Sequence, residues 1–341
     1  MQRALLLSGL LAAVSGWCES DTRAQDLAEW TGDVVITTQA EADALSCVTR
    51  ICGSLTVRPV EPVVTLPNLR EITGALNIEV EPTAPGRFVT AEQVVLPELR
   101  ALGGKLSFQH LNGDYGAEVE LGLPLLAAVP GDVELVLSSF NGHNTGLAGL
   151  SFIGGDLTIT ARGDFYAFDL LEALTRVDGD VHVRTNAGSS GSVLRGLQSV
   201  GGDLTLDYLS RLAGNVLSSL REVDGDLNIL RSYWGPDQFL ELQRVGGTFR
   251  VQGIPGIDPV PGSAIAGSPA GLQLGALELR QTNYPVVPLV AGTAVAECGA
   301  IVIEDNADLC QTSVDDFVSA QAAAGWSGPL SVSGNLGSCT P

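Results

Sequence analysis

One pattern recurs through the middle of the chain and limits what it can fold into: L-x-x-L-x-x-V-x-G-D-L-x-I, with Val and Ile interchanging. It reads Leu147, Leu150, Ile153, Gly155, Asp156, Leu157, Ile159. It returns at Leu171 with Gly179-Asp180, at Leu194 with Gly202-Asp203, and at Leu217 with Gly225-Asp226. The period is about 24 residues, and self-similarity at a fixed period of this length marks a solenoid. Its glycine can be followed outward through Gly53, Gly74, Gly104, Gly131, Gly247, Gly275 and Gly299.

Leu157 and Ile159 alternate along a strand and share one face, with Thr158 on the other. Leu147, Leu150 and Ile153 bring three more apolar groups inward around a bend. One coil cannot bury these five groups, but stacked coils can, at roughly 2 kcal/mol per aliphatic side chain. The glycine before the strand is expected at positive φ, permitting a tight turn. The fold class expected is all-β: a right-handed parallel β-helix or solenoid of about eleven to twelve coils, with capping helices at both ends. At Gly275 only Leu277 and Leu279 fit the strand.

The two ends differ from the repeats. Residues 1–16 read as a secretory signal peptide: Arg3, an apolar run too short to span a bilayer, and small residues before the cleavage point. Cys18 opens a lipoprotein reading, against which Trp17 stands where a lipobox has a small residue. Residues 17–46 form a lead-in, in which Gly32 to Ile36 supply a first incomplete coil. Thr38 and Glu41 there form a capping box for a helix from Gln39 to Leu45. Residues 311–341 supply a C-terminal cap helix and tail. That helix is expected from Val314 to Ala324, capped by Ser313 with Asp316. The six cysteines, Cys18, Cys47, Cys52, Cys298, Cys310 and Cys339, avoid the repeats. They allow fifteen pairings. Cys47 with Cys52, and Cys310 with Cys339, are preferred because each pair would staple an end. No later apolar run suggests a transmembrane span.

The sequence carries no familiar catalytic signature. His110, His143 and His182 are scattered, with no H-x-x-x-H pair and no G-x-S-x-G elbow. Asp132, Asp156, Asp180, Asp203 and Asp226 would lie about 4.8 Å apart on adjacent coils. Either each carboxylate accepts backbone N–H bonds at its turn, or the ladder binds calcium with help from Asp178 and Asp224. The first is the plainer reading, so no metal or cofactor is expected. Tyr166, Tyr208, Tyr233 and Trp234, with Phe165, fall shortly after their coil glycines. They are either core or an exposed ligand-binding stripe. A net charge of −21 argues against nucleic acid and anionic lipid as partners.

Residues 47–310 resemble the receptor L domain, the leucine-rich solenoid of the ligand-binding halves of insulin and epidermal growth factor receptors. The residues that carry the resemblance are Cys47 followed by Ile51, Gly53, Leu55 and Val57, and the ending Asn306, Leu309, Cys310. The chain is similar to bacterial surface proteins that carry such domains, but has more coils, no cysteine-rich module and no kinase. The resemblance implies export and a binding role. The expected function is therefore an exported, non-catalytic recognition or binding module, secreted or in the cell envelope, with a protein or carbohydrate ligand. The alternatives are a polysaccharide-active β-helix enzyme and a purely structural surface protein.

Overall fold

The structure is a computed structural model. It describes residues 28–61, 63–80, 92–110, 119–140, 146–166, 171–185, 189–190, 194–207, 217–231, 241–253, 271–282, 284, 287, 295, 297–335 and 337. They form an all-β parallel solenoid with very few helices. The strand that follows each template glycine pairs in parallel with its equivalent one coil on. The long sheet so formed starts at Val34–Ile36 and Leu55–Val57, passes through Leu157–Tyr166, Val181–Thr185, Leu204–Asp207 and Leu227–Leu230, and ends at Leu330–Ser333. A second side is built from short strands just before the glycine, such as Phe152–Ile153, Arg176–Val177 and Ser199–Val200. A third side carries Val63–Thr65, Glu92–Val95 and Val119–Gly122. From residue 146 onward, turns at 146–149, 171–173, 194–196 and 217–219 take its place.

The interior follows the template. Leu147, Leu150, Ile153, Leu157 and Ile159 are all buried, as are their equivalents in the neighbouring coils. Parallel register keeps like on like: Leu157 pairs with Val181, Val181 with Leu204, and Leu204 with Leu227. The coil at Gly275 is more complete than expected, since Leu272 and Leu274 are buried along with Leu277 and Leu279. Here the short strand and the long strand run on as one, Gln273–Arg280.

The template glycines are needed for a different reason from the one expected. Only Gly32, in the first coil, has φ in the left-handed region, at +106°. The others are required by close approach. A Cβ on Gly179 would lie 2.2 Å from Oδ1 of Asp156, and one on Gly202 would lie 2.0 Å from Oδ1 of Asp180. A Cβ on Gly53 would lie 2.4 Å from the carbonyl oxygen of Gly32. Left-handed backbone occurs instead where the chain leaves the long sheet, at Arg231 (φ 50°), Gln281 (51°), Asp305 (58°) and Gly334 (68°).

Helix α1 (Gln39–Ala44) has the capping box expected of Thr38 and Glu41. It abuts Val63–Thr65, the outer strand of the third side. Gln39 behaves like a missing strand there. Its Oε1 accepts from Thr65 N at 2.8 Å, and its Nε2 donates to Thr65 O at 3.2 Å.

Helix α2 (Gln311–Ala323) starts earlier than expected. Cys310 is its N-cap residue, with no side-chain cap bond. The Ser313 hydroxyl is used elsewhere, accepting from Val287 N at 3.0 Å. The helix does not close the end of the long sheet, because Leu330–Ser333 follows it and adds one more strand.

The Cys47–Cys52 pair is not formed, because Cys52 is a free thiol, as is Cys298. Val48–Cys52 is a strand. At about 3.3 Å per residue it holds Cys47 and Cys52 some ~16 Å apart, far beyond the ~5.5 Å Cα separation that a disulfide spans. Cys47 and Cys310 are disulfide-bonded, and their partners are not among the described residues.

Leu204 sits at 0 % exposure in the middle of this stack. Leu204→Asp puts an unpaired carboxylate there and should cost about 4 kcal/mol or more. Urea unfolding of wild type and variant measures this, and an unchanged midpoint would mean that the inward register is wrong.

Candidate interaction face

The acidic ladder is a hydrogen-bond device between coils. Asp132 Oδ1 accepts from Asp156 N at 3.0 Å, Asp156 Oδ1 from Asp180 N at 2.8 Å, and Asp180 Oδ1 from Asp203 N at 2.7 Å. Asp203 Oδ1 continues to Asp226 N at 2.7 Å, and Asp226 Oδ1 to Thr248 N at 2.6 Å. The donor thus belongs to the next coil, not to the carboxylate's own turn as the sequence suggested. Asp178 is paired with Arg176 at 2.6 Å, and Asp224 with Arg244, so neither joins the ladder. Among the described residues no group of three His, Cys, Asp or Glu side chains could hold a metal ion.

The outward positions of the long sheet form two parallel rows. One runs through Thr158, His182, Thr205, Asn228, Arg250 and Glu278. The other runs through Thr160, Arg184, Asp207, Leu230, Gln252 and Arg280. The first row is the unspecified strand position of the template and the second lies just past its last residue; both carry charge pairs between coils. Asp207 has only 7 % of its side chain exposed, and Arg231 grips it through two bonds of 2.9 and 2.6 Å. Arg184 approaches the same carboxylate from the preceding coil at 3.8 Å.

Further along, Arg250 donates to Asn228 at 3.0 Å and to Glu278 at 2.7 Å. Arg280 bonds Glu278 and also Glu304, the latter at 2.6 Å, and Ser331 donates to Glu304. Burial alone would push the Glu278 carboxyl up, but the hydrogen bonds from Arg250 and Arg280 outweigh it and hold it below its usual value. Isolated pairs this exposed are worth about 0–1 kcal/mol each. Chained across coils they fix side-chain positions on a flat face.

His182 lies half-buried in this outward row between Thr158 and Thr205. His110 closes the strand Leu106–His110, and His143 lies outside the described residues. Of the expected aromatic stripe, Tyr166 ends the strand Leu157–Tyr166, with its backbone opposite Ser190. Tyr208, Tyr233 and Trp234 lie outside the described residues. Asn306, one of the residues behind the receptor resemblance, has a structural task. It is fully buried and accepts from Thr282 N and Oγ1, both at 2.8 Å, while donating to Leu279 O at 3.1 Å and Asn335 Oδ1 at 2.9 Å.

On the turn side, a shallow open groove of about 420 Å³ is lined by Ala148, Glu172, Ala173, Arg195, Gly196 and Ser219. Among the described residues of that lining Glu172 is the single carboxylate, whereas glycoside hydrolysis uses a pair. Comparison with protein-family models, with curated proteins and with solved structures returned no match.

Two measurements test these geometries. Gly202→Ala collides with Oδ1 of Asp180, while Asp180→Ala removes that atom and leaves Asp203 N without its acceptor. Each change should destabilise, and the pair should be less harmful than their sum by about 1 kcal/mol, as for residues in contact. A strictly additive double-mutant cycle would refute the coupling. Glu278 tests the outer network. Its folded-state value is depressed, so its contribution is present above the unfolded value and is lost as pH falls through the folded one. Glu278→Gln should therefore melt below wild type at pH 7, with the gap closing as pH drops below about 4. A gap that persists in acid would contradict this.

Proposed function

We propose that this chain is an exported, non-catalytic recognition module of the cell envelope, a receptor L domain-like solenoid that binds a protein or carbohydrate on the outer face of its long sheet. The observation that carries the reading is the row of cross-coil ion pairs from Arg184 to Glu304 on one flat face. Side chains already fixed by their neighbours lose little entropy when a partner docks. The aromatic set Tyr166, Tyr208, Tyr233 and Trp234, which follows the coil glycines in the sequence, is the candidate aromatic contribution to such binding. The charge of −21 disfavours nucleic acid and anionic membranes as alternatives.

Export has its own support. Disulfides at Cys47 and Cys310 suit an oxidising compartment. Cys310 forms a parallel bridge with Gly337, two residues before Cys339, which favours a Cys310–Cys339 pair.

Immobilised full-length chain, challenged with soluble envelope polysaccharides and with an envelope protein extract, tests the role. Trp234→Ala and Arg184→Ser should each weaken capture about tenfold, or ~1.4 kcal/mol, with unchanged melting curves. Release of new reducing ends or unsaturated sugars from a polysaccharide, with no reversible binding, would overturn it in favour of an enzyme.

A further inference from the structure

The end of the solenoid at Leu330–Ser333 is open. Leu330 and Val332 continue the two inward columns, stacking on Ile301 and Ile303, which are both at 0 % exposure. Yet Leu330 is 46 % exposed, and among the described residues no further coil stacks on it. The backbone is open as well. Ile301 N donates to Pro329 O and Asp305 N to Ser333 O, so the odd-numbered residues bond back to the sheet. Leu330 and Val332 therefore turn their N–H and C=O groups to the free edge.

Natural proteins protect such edges with charge. Here the opposite holds. After Asp316 the sequence has no charged residue as far as Pro341, in a chain of net charge −21. Ala322, Ala323 and Ala324 at the end of α2 are exposed beside this edge strand in sequence, and equally neutral. A second copy would be repelled along much of the surface, and least at this end.

We propose that this end is a homodimer interface, in which Leu330–Ser333 of two copies pair antiparallel about a two-fold axis through Ser331. That register sets Leu330 opposite Val332 of the other copy. It matches the outward backbone groups of both strands and makes the two apolar columns continuous. The arrangement is isologous and closes at two copies, whereas head-to-tail stacking would give filaments.

Sedimentation of the full chain over a range of concentrations should show a dimer. Leu330→Lys, an exposed position, should give a monomer with an unchanged circular dichroism spectrum and melting curve. Ser331→Cys should form a self-crosslinked dimer on a non-reducing gel, with wild type showing the background from the free cysteines. A wild-type monomer at the highest soluble concentration would overturn the proposal. So would a filament series, a dimer that survives Leu330→Lys, or a dimer without the Ser331→Cys crosslink.

Discussion

The corner between the short strand and the long strand is the constraint on which the rest of this solenoid depends. There the direction of the hydrogen-bond ladder reverses. Gly202 N reaches back to Gly179 O at 3.0 Å, while Val181 N reaches forward to Asp203 O at 2.7 Å. Asp203 N lies between them and also points back, where the carbonyl of Gly179 is already engaged by Gly202. The carboxylate of Asp180 supplies the missing acceptor. It can reach because Gly202 has no Cβ in the way. Glycine and aspartate are therefore one device shared between coils, each coil contributing the acceptor for the next. The first coils use variants of it. Asp33 accepts from Ser54 N at 2.8 Å, and Ser54 Oγ accepts from Ala75 N at 3.1 Å.

Once the corner is fixed, everything after it is in register. The residue following Asp enters the core, the next faces out, and the next enters again. This places Leu204 and Leu206 inside and leaves Thr205 and Asp207 for the outer rows. Because adjacent coils are about 4.8 Å apart, side chains of opposite charge on successive coils meet without any turn or helix to arrange them. The ion pairs of Arg250, Glu278, Arg280 and Glu304 are a consequence of this spacing. Asp207 stands out among the charged outward residues: it is nearly buried, and arginines from the coils on either side pair with it.

How much of this was legible follows from which residues the template specifies. The inward groups were readable because burial demands apolar side chains at fixed spacing, and Leu147 through Ile159 fulfil it. The α1 capping box was readable because Thr38 and Glu41 act over three residues. The reason for the glycines was not, since a contact between Gly202 and Asp180 spans a whole coil and local turn chemistry gives no hint of it. The Cys47–Cys52 pair does not form because the strand Val48–Cys52 holds the two apart, a separation that the argument for stapling an end does not see. Ser313 was misread because its partner, Val287, is distant in the chain. The outer face escaped because its residues occupy the variable positions. A signal was present, in the opposite charges about one coil apart at Arg250 and Glu278 and at Arg280 and Glu304, but only the register gives it meaning.

The same register separates what the chain must keep from what it can vary. Substituting an outward residue leaves the corner and the core untouched, so the outer sheet can be adapted to a ligand at little cost to the fold. The ends have no such freedom, because a parallel ladder always leaves an edge. At the third side the chain solves this internally, with the Gln39 amide satisfying Thr65. At Leu330–Ser333 the described residues offer neither a side-chain cap for the outer edge nor a charge on the strand, and Leu330 stays exposed. The proposed recognition face on the coils and the proposed association face on the last strand would then be independent surfaces. Joining two copies at that strand would carry the outer sheet on from one copy into the next, doubling the face presented to an extended ligand without altering a residue that binds it.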